Sequence, residues 1–547
     1  MLGNRFENIS LKGDIFGGVT TAIISLPLAL AFGVASGAGA EAGLWGAIMV
    51  GFFAALFGGS TTLISEPTGP MTVIMTAVLT SMMAKYPGTG MAMSFTVVMM
   101  AGAFQVLLGS LKLGKYVTLM PYSVISGFMS GIGVILIILQ LSPLLGHSAP
   151  AGGVIGTLSA LPNTLAKISF SELLLGVLTL GVLFFFPKRY RKYVPAQLVA
   201  LVAVTLLSVA IFDTESIRRI GEIPAGLPSL VLPHFNSEML TTMVIDALVL
   251  GTLGCIDTLL TAVIGDSLTR KEHDSDKELR GQGIANIISG LFGALPGAGA
   301  TMGTVTNIQV GARSPVSGMV RALVLALVVL VAGGLTEPIP MAVLAGIAVY
   351  VGFNILDWSF IQRAHKVSIQ GMILMYGVMF LTVFVDLIVA VGLGVFISNI
   401  IVIEELSRAQ ARQVKAISDT DNDVPLTDNE RGILDKANGK VLFFYLSGPM
   451  IFSVSKAISR QHSSISDYQV MILDLTDVPM IDVTVGLALE NAIKDALDAK
   501  CEVLLLCPNN ETRQQLKKLN VLDLISNNNH CTSKEQALQS ALNHVST

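Results

Sequence analysis

The sequence predicts a polytopic all-α membrane domain of about 14 spans, arranged as two inverted sets of seven with a broken helix in each, followed by a small soluble α/β domain. Three observations predict this. Of 547 residues, 52% are hydrophobic and 13% charged, against roughly 25% charged in soluble domains, and the mean hydropathy is +0.69. Apolar runs near the bilayer-crossing length of about 20 residues recur as far as Ile403. Two of these runs are interrupted by Gly-, Pro- and Thr-rich stretches, which are costly in lipid unless the exposed backbone lines a protected site.

The first seven runs cover 15–34, 44–57, 71–83, 91–108, 124–141, 173–186 and 194–212. The second seven cover 242–264, 284–295, 301–310, 316–332, 339–355, 369–385 and 387–403. Several are short, as half-helices meeting at mid-membrane would be. An odd number per set reverses the orientation of the second, which is the condition for an inverted repeat, and makes the third and tenth runs correspond. The long connection 214–237, rich in Pro and Gly, joins the halves. The 53 glycines fit close helix packing in lipid.

Charge placement sets the orientation. Basic residues that follow even-numbered spans (Lys112, Lys115, the cluster at 188–192, Arg270, Lys271, Arg313, Arg363, Arg408 and Arg412) share the side of Arg5 and Lys12. The opposite side carries mainly Lys85, Lys167, Arg218 and Arg219. The positive-inside rule therefore puts both termini in the cytoplasm. A net charge of −4 implies neither nucleic-acid binding nor bulk attraction to anionic lipid. The polar N-terminus and long first run predict a retained span rather than a cleaved leader. Cys255, Cys501, Cys507 and Cys531 lack paired ligand spacing and read as reduced and non-ligating.

The interruptions are Ser65-Glu-Pro-Thr-Gly-Pro-Met-Thr72 and Leu295-Pro-Gly-Ala-Gly-Ala-Thr-Met-Gly-Thr-Val-Thr-Asn307, each preceded by a Phe-Gly pair. A helix that starts inside the membrane presents unpaired N–H groups and the positive end of its dipole. Two such ends attract an anion. Thr68, Thr72, Thr301 and Thr304 would add hydroxyl donors, while Gly69, Gly299 and Gly303 allow close backbone approach. The plainer alternative is that these residues are packing kinks.

Asp257 lies mid-way along the eighth span, with Thr261 four residues on and therefore on the same helical face. No Lys or Arg occurs in that span or in either interruption. An oxygen-only pair suits Na⁺ or a proton as the neutralising cation, and an intramembrane carboxylate marks a functional site. Glu66 reads as a cation ligand, a gate or a cap. Asp14, Asp246 and Asp386 read as interfacial.

Beyond Ile403 the composition becomes soluble in type. Residues 1–408 make the membrane-spanning domain, 409–438 a linker containing the polar stretch 418–423, and 439–547 a separate domain. Apolar runs at 441–446, 470–475 and 502–506 predict buried strands, alternating with helices at 454–461, 486–498 and 510–518.

The two interruptions and the C-terminal domain together resemble the sulfate permease (SulP) family of anion transporters, whose C-terminal module is of STAS type. With Asp257 and Thr261 added, the chain looks most like the family's sodium-dependent bicarbonate branch. The resemblance implies a core and a gate subdomain moving in an elevator-like manner, Na⁺-coupled bicarbonate uptake across a bacterial plasma membrane, and a homodimer held partly by STAS domains. It implies Na⁺ ligands Asp257, Thr261, Gly299 and Thr301, and bicarbonate near Thr68, Gly69, Ala300 and Thr301; Glu66, Gly303 and Thr304 are further candidates. Relatives that exchange anions carry an arginine near the start of the tenth span, where this chain has Gly303, so a co-bound Na⁺ would supply the missing positive charge. In related STAS domains a phosphorylated serine follows the aspartate of the strand–helix turn. Here Val483 follows Asp482, and Thr484 is the candidate phosphoacceptor, beside a role in folding, dimerisation or docking of a regulatory partner.

Other classes remain open at this stage: proton-coupled uptake of sulfate or a dicarboxylate, an uncoupled exchanger or channel, and a membrane-anchored receptor. The sequence carries no catalytic constellation and implies neither an enzyme nor an organic cofactor.

Overall fold

The computed structural model describes residues 10–117, 121–150, 152–187, 189, 195–213, 216–221, 226–332, 336–385, 387–411, 414–418, 424–451, 454–455, 458 and 468–546. Arg5, Asp386, Arg412, most of the 188–192 cluster and of the 418–423 stretch, parts of the 214–237 connection and most of the expected helix 454–461 lie outside the described residues. The chain divides into two compact units, Met1–Ser398 and Asn399–Thr547.

In the first unit the helices of eight residues or more are α1 (Leu11–Ser36), α2 (Ala40–Phe57), α3 (Gly69–Lys85), α4 (Gly90–Ser110), α5 (Tyr122–Leu139), α6 (Gly153–Ala166), α7 (Phe170–Phe185) and α8 (Ala196–Ile211). They continue with α9 (Leu240–Thr269), α10 (Ser275–Leu291), α11 (Thr301–Gln309), α12 (Val316–Ala332), α13 (Met341–Ile355) and α14 (Ile369–Phe384); α15 (Leu387–Ala411) runs across the division between the units at residue 398. Every predicted run is a helix, and α6 is an addition. It was not legible as a span because Gly, Ser, Thr and a proline dilute its hydropathy, and it meets α7 at a 118° bend.

Two groups of helices form. In one, α4 packs on α9 and α10, and α2 on α1, α10 and α12; in the other, α5 packs on α13 and α14, and α7 on α8 and α13. Helices α1 and α3 touch both groups. Small residues set the approach: a Cβ on Gly102 of α4 would sit 2.5 Å from the Gly283 carbonyl of α10, and one on Gly283 2.5 Å from the Gly102 carbonyl. Neither position has room for a side chain, as expected where backbone proximity rather than the hydrophobic effect joins helices in lipid.

Each interruption contains a two-residue strand, β1 (Ser65–Glu66) and β2 (Ala298–Gly299), which pair antiparallel with Ser65 opposite Gly299 and Glu66 opposite Ala298. The extended backbone at each break is thus satisfied by the other break, and α3 and α11 each begin within three residues of the pair.

The second unit is a five-stranded sheet in the order β3 (Val414–Ile417), β4 (Val441–Ser447), β5 (Val470–Asp477), β6 (Glu502–Leu506), β7 (His530–Cys531). All neighbours are parallel except β3 with β4. Leu442, Phe444 and Leu446 face a layer containing α17 (Val483–Asp498), and Phe443 and Tyr445 face the opposite layer with α16 (Asp428–Lys436) and α18 (Lys534–Ser546). A sheet covered on both faces needs apolar residues at every position, which is why its strands read as continuous hydrophobic runs.

The segment expected as a linker is partly structured: it supplies β3 and α16. Thr427 and Glu430 form a capping box, and Ile433 and Leu434 bury the amphipathic face of α16. Burial pushes the thiols of Cys501 and Cys507 up to about 11, so both are unreactive at neutral pH.

Candidate functional site

The site is built where β1 and β2 cross α9. Asp257, buried in α9, accepts a hydrogen bond from the hydroxyl of Thr68 at 2.8 Å (Oγ1 to Oδ2). Thr68 occupies the residue before α3, and Pro70 follows in the first turn, where a missing N–H costs nothing. One turn along α9, the Thr261 hydroxyl donates to the Gly299 carbonyl at 2.9 Å and lies 3.0 Å from the Thr301 hydroxyl. The spacing of Asp257 and Thr261 thus places a carboxylate, two hydroxyls and a carbonyl around one face of α9. Thr301 is exposed, so the cluster opens on that side.

The first intrahelical bond of α11 runs from Thr304 N–H to the Ala300 carbonyl. The amides of Thr301, Met302 and Gly303 therefore have no intrahelical acceptor, and in α3 the same holds for Gly69 and Met71. Three hydrogen bonds bear on the donors expected here. The Ala300 amide is not available to an anion, because it donates to the Ile64 carbonyl at 2.7 Å. The Thr304 hydroxyl accepts from the Ile64 amide at 3.0 Å, and the Thr72 hydroxyl donates to the Thr68 carbonyl at 2.8 Å. Both threonines hold backbone in place.

Glu66 has a partner that none of its three readings names. It is buried and forms an ion pair with Arg321 of α12, Nη1 to Oε2 at 2.5 Å. Arg321 is 0% exposed and also donates to Ser25 Oγ and to the carbonyls of Ala47 and Ser65. It pins β1 from behind. Its charge is spent on Glu66, and among the described residues no basic side chain forms an ion pair with Asp257. A Cβ on Gly303 would lie 3.0 Å from Ile64 Cγ2 and 3.5 Å from Glu66 Oε1. Position 303 is tight and looks onto the carboxylate already paired with Arg321.

A second set of polar side chains supports β2. Asn286 of α10 accepts from the Gly297 amide at 2.8 Å and donates to the Gly297 carbonyl at 3.0 Å, and Gln282 donates to the same carbonyl. Gln105 of α4 accepts from Asn286, and Thr258 accepts from the Gly299 amide. Sequence reasoning passed over these residues and Arg321. A lone polar residue on a helix carries no local sign of its partner; only the cost of leaving it unpaired in lipid points to one. The described residues contain no group of three or more His, Cys, Asp or Glu placed to hold a metal.

Comparison with known proteins identifies the family of the chain. Residues 11–378 match the model of the sulfate permease family, and 433–537 match the STAS domain. The chain is 58% identical over 539 residues to the bicarbonate transporter BicA of Synechocystis and 56% identical over 543 residues to that of Picosynechococcus, with 98% of this chain and 96% of each relative covered. The transmembrane domain of a cyanobacterial BicA superposes with a TM-score of 0.69 at 62% identity, covering 72% of this chain and all of that one. Murine Solute Carrier 26 family member A9 shares the fold, with a TM-score of 0.83 at 19% identity, over 98% of this chain and 92% of that one. A helical multi-pass membrane domain carrying this pair of broken helices, followed by a STAS domain, is a transporter architecture rather than an enzyme's, and the chain belongs to the sulfate permease family.

Proposed function

We propose that this chain is a Na⁺-coupled bicarbonate symporter of a bacterial plasma membrane, with both termini cytoplasmic. The observation that carries the reading is Asp257, an intramembrane carboxylate with no cationic partner among the described residues, set between the starts of two half-helices. The chain-long similarity to relatives named bicarbonate transporters supports the substrate.

Na⁺ is cargo here. Asp257, Thr261, Gly299 through its carbonyl, and Thr301 offer the hard oxygen ligands it prefers. Bicarbonate takes the amide ends of α3 and α11, near Gly69, Thr301 and Met302, where helix dipoles favour an anion. Thr68 links the two ions. Its hydroxyl proton is committed to Asp257; when Na⁺ takes over the carboxylate, that proton becomes free to serve the anion. Each ion then raises the other's affinity, as linkage requires. Elevator-like movement of one helix group against the other carries both.

In proteoliposomes, labelled bicarbonate uptake should require an inward Na⁺ gradient. Na⁺-independent uptake would sink the reading, and uptake driven by a pH gradient in Na⁺-free buffer would move the coupling role to a proton. In Thr68→Val, Na⁺ should no longer lower the half-saturating bicarbonate concentration, whereas Thr68→Ser should behave as wild type.

For the STAS domain we favour dimerisation. Thr484 is exposed on the first turn of α17, but Asp482 already caps that helix by accepting from the Val485 amide at 2.8 Å, so a phosphate there would compete with a carboxylate. Light scattering should give a dimer mass for the full chain and a smaller dimer fraction after removal of 414–547. Phosphate on Thr484 in mass spectra of protein from native cells would instead support regulation.

A further inference from the structure

Two turns beyond the ion cluster, α9 and α11 frame a second opening. Running along both helices from the Thr261–Thr301 contact, Gly265 meets Thr304, a Cβ there lying 3.7 Å from Thr304 Cγ2. Seven residues past each threonine, Leu268 and Ile308 line a cavity of about 500 Å³. At 1.5 Å rise per residue, this cavity lies about 10 Å along the same seam from the ion cluster. Its other walls include Thr61, Thr62, Thr269, Lys271 and Arg313. It therefore carries hydroxyls and two cations among apolar walls, unlike the wholly apolar crevice between Phe128, Leu248 and Val391 on the other side of α9.

Two carboxylates near this cavity are already engaged. Asp266 of α9 is 2.6 Å from His273 Nδ1, whose other ring nitrogen meets Ser275. Asp14, read as interfacial, is in fact fully buried and accepts from the amides of Ser10, Arg313 and Ser314 and from the Ser314 hydroxyl. It fixes the backbone of the loop that carries Arg313, a residue that lines both this cavity and a neighbouring one beside Lys12. Lys271 and Arg313 are exposed, and neither forms an ion pair among the described residues.

We propose that this cavity is a second binding site for a small oxyanion, a cytoplasmic waiting site that holds the transported anion between the ion cluster and the cell interior. The proposal rests on the symport reading for the identity of the anion and for the sidedness. Its consequence is feedback: anion accumulated inside occupies the Lys271–Arg313 site and slows further uptake.

The test is uptake by the full chain in proteoliposomes sorted for an inward-facing cytoplasmic side and preloaded with graded bicarbonate. In K271Q/R313Q, the internal concentration that halves uptake, measured against the variant's own rate in unloaded vesicles, should rise roughly five-fold, the scale set by losing two solvent-exposed ionic contacts. An unchanged half-inhibitory concentration overturns the proposal. Each measurement is run in vesicles of phosphatidylcholine alone and with phosphatidylglycerol. A shift seen only with phosphatidylglycerol assigns the two cations to lipid phosphate and also overturns it. Failure of the wild-type chain to take up bicarbonate at all would instead strike the symport reading, so the two failures are distinguishable.

Discussion

Asp257→Asn should abolish Na⁺-driven uptake while leaving a folded, monodisperse protein. Asparagine preserves the volume, and its side-chain carbonyl can still accept the Thr68 hydroxyl that now binds Oδ2, so the packing of β1, α3 and α9 has no reason to change. What is lost is the formal charge in a cluster otherwise made of neutral oxygens from Thr261, Gly299 and Thr301. A charged ligand contributes about 3 kcal/mol beyond a neutral one, so Na⁺-dependent kcat/KM should fall at least about 100-fold. Wild-type Na⁺ dependence in this variant would remove Asp257 from the mechanism. A variant that aggregates in size-exclusion chromatography would show instead that the carboxylate is needed for folding.

The second large effect lies behind the site. Arg321→Met should lower stability by about 3–5 kcal/mol, the cost of leaving one partner of a buried ion pair alone. It strands the Glu66 carboxylate and removes the donors that hold the Ala47 and Ser65 carbonyls. Glu66→Gln should cost less, because glutamine still offers an oxygen to the guanidinium. The informative variant is the double one. If charge pairing is the cause, Glu66→Gln/Arg321→Met will be more stable than Arg321→Met alone, since no isolated charge remains; strictly additive losses would count against it. Thermal unfolding in detergent, followed by size-exclusion fluorescence, measures all three, with an expected midpoint drop of roughly 5–10 °C for Arg321→Met.

How far the sequence went can be judged from these residues. Both interruptions were visible because Gly, Pro and Thr inside apolar runs violate a rule with few exceptions in lipid. Asp257 and Thr261 were visible because one helical turn separates them, so their juxtaposition is local. That β1 would pair with β2, and that this pairing would consume the Ala300 amide and the Thr304 hydroxyl, follows from contacts across more than two hundred residues, about which local pattern says nothing. Arg321 failed to stand out for the same reason: it sits one turn inside α12, where a basic residue reads as interfacial, and its partner Glu66 is 255 residues away. In the soluble unit the three long strands were legible from their continuous apolar runs, whereas β3 and β7, at four and two residues, were too short to show a period.

The pairing of the two breaks also has a history within each molecule. Ile64 and Thr304 are separated by 240 residues, and at about 5–20 residues per second the ribosome needs on the order of 10 to 50 seconds to make that interval. Throughout it, the first strand and the head of α3 are already synthesised while their hydrogen-bond partners do not yet exist. The nascent first half must therefore wait with its most polar backbone unpaired, shielded by water, the insertion machinery or a provisional partner, so the ion cluster cannot form before the second half arrives.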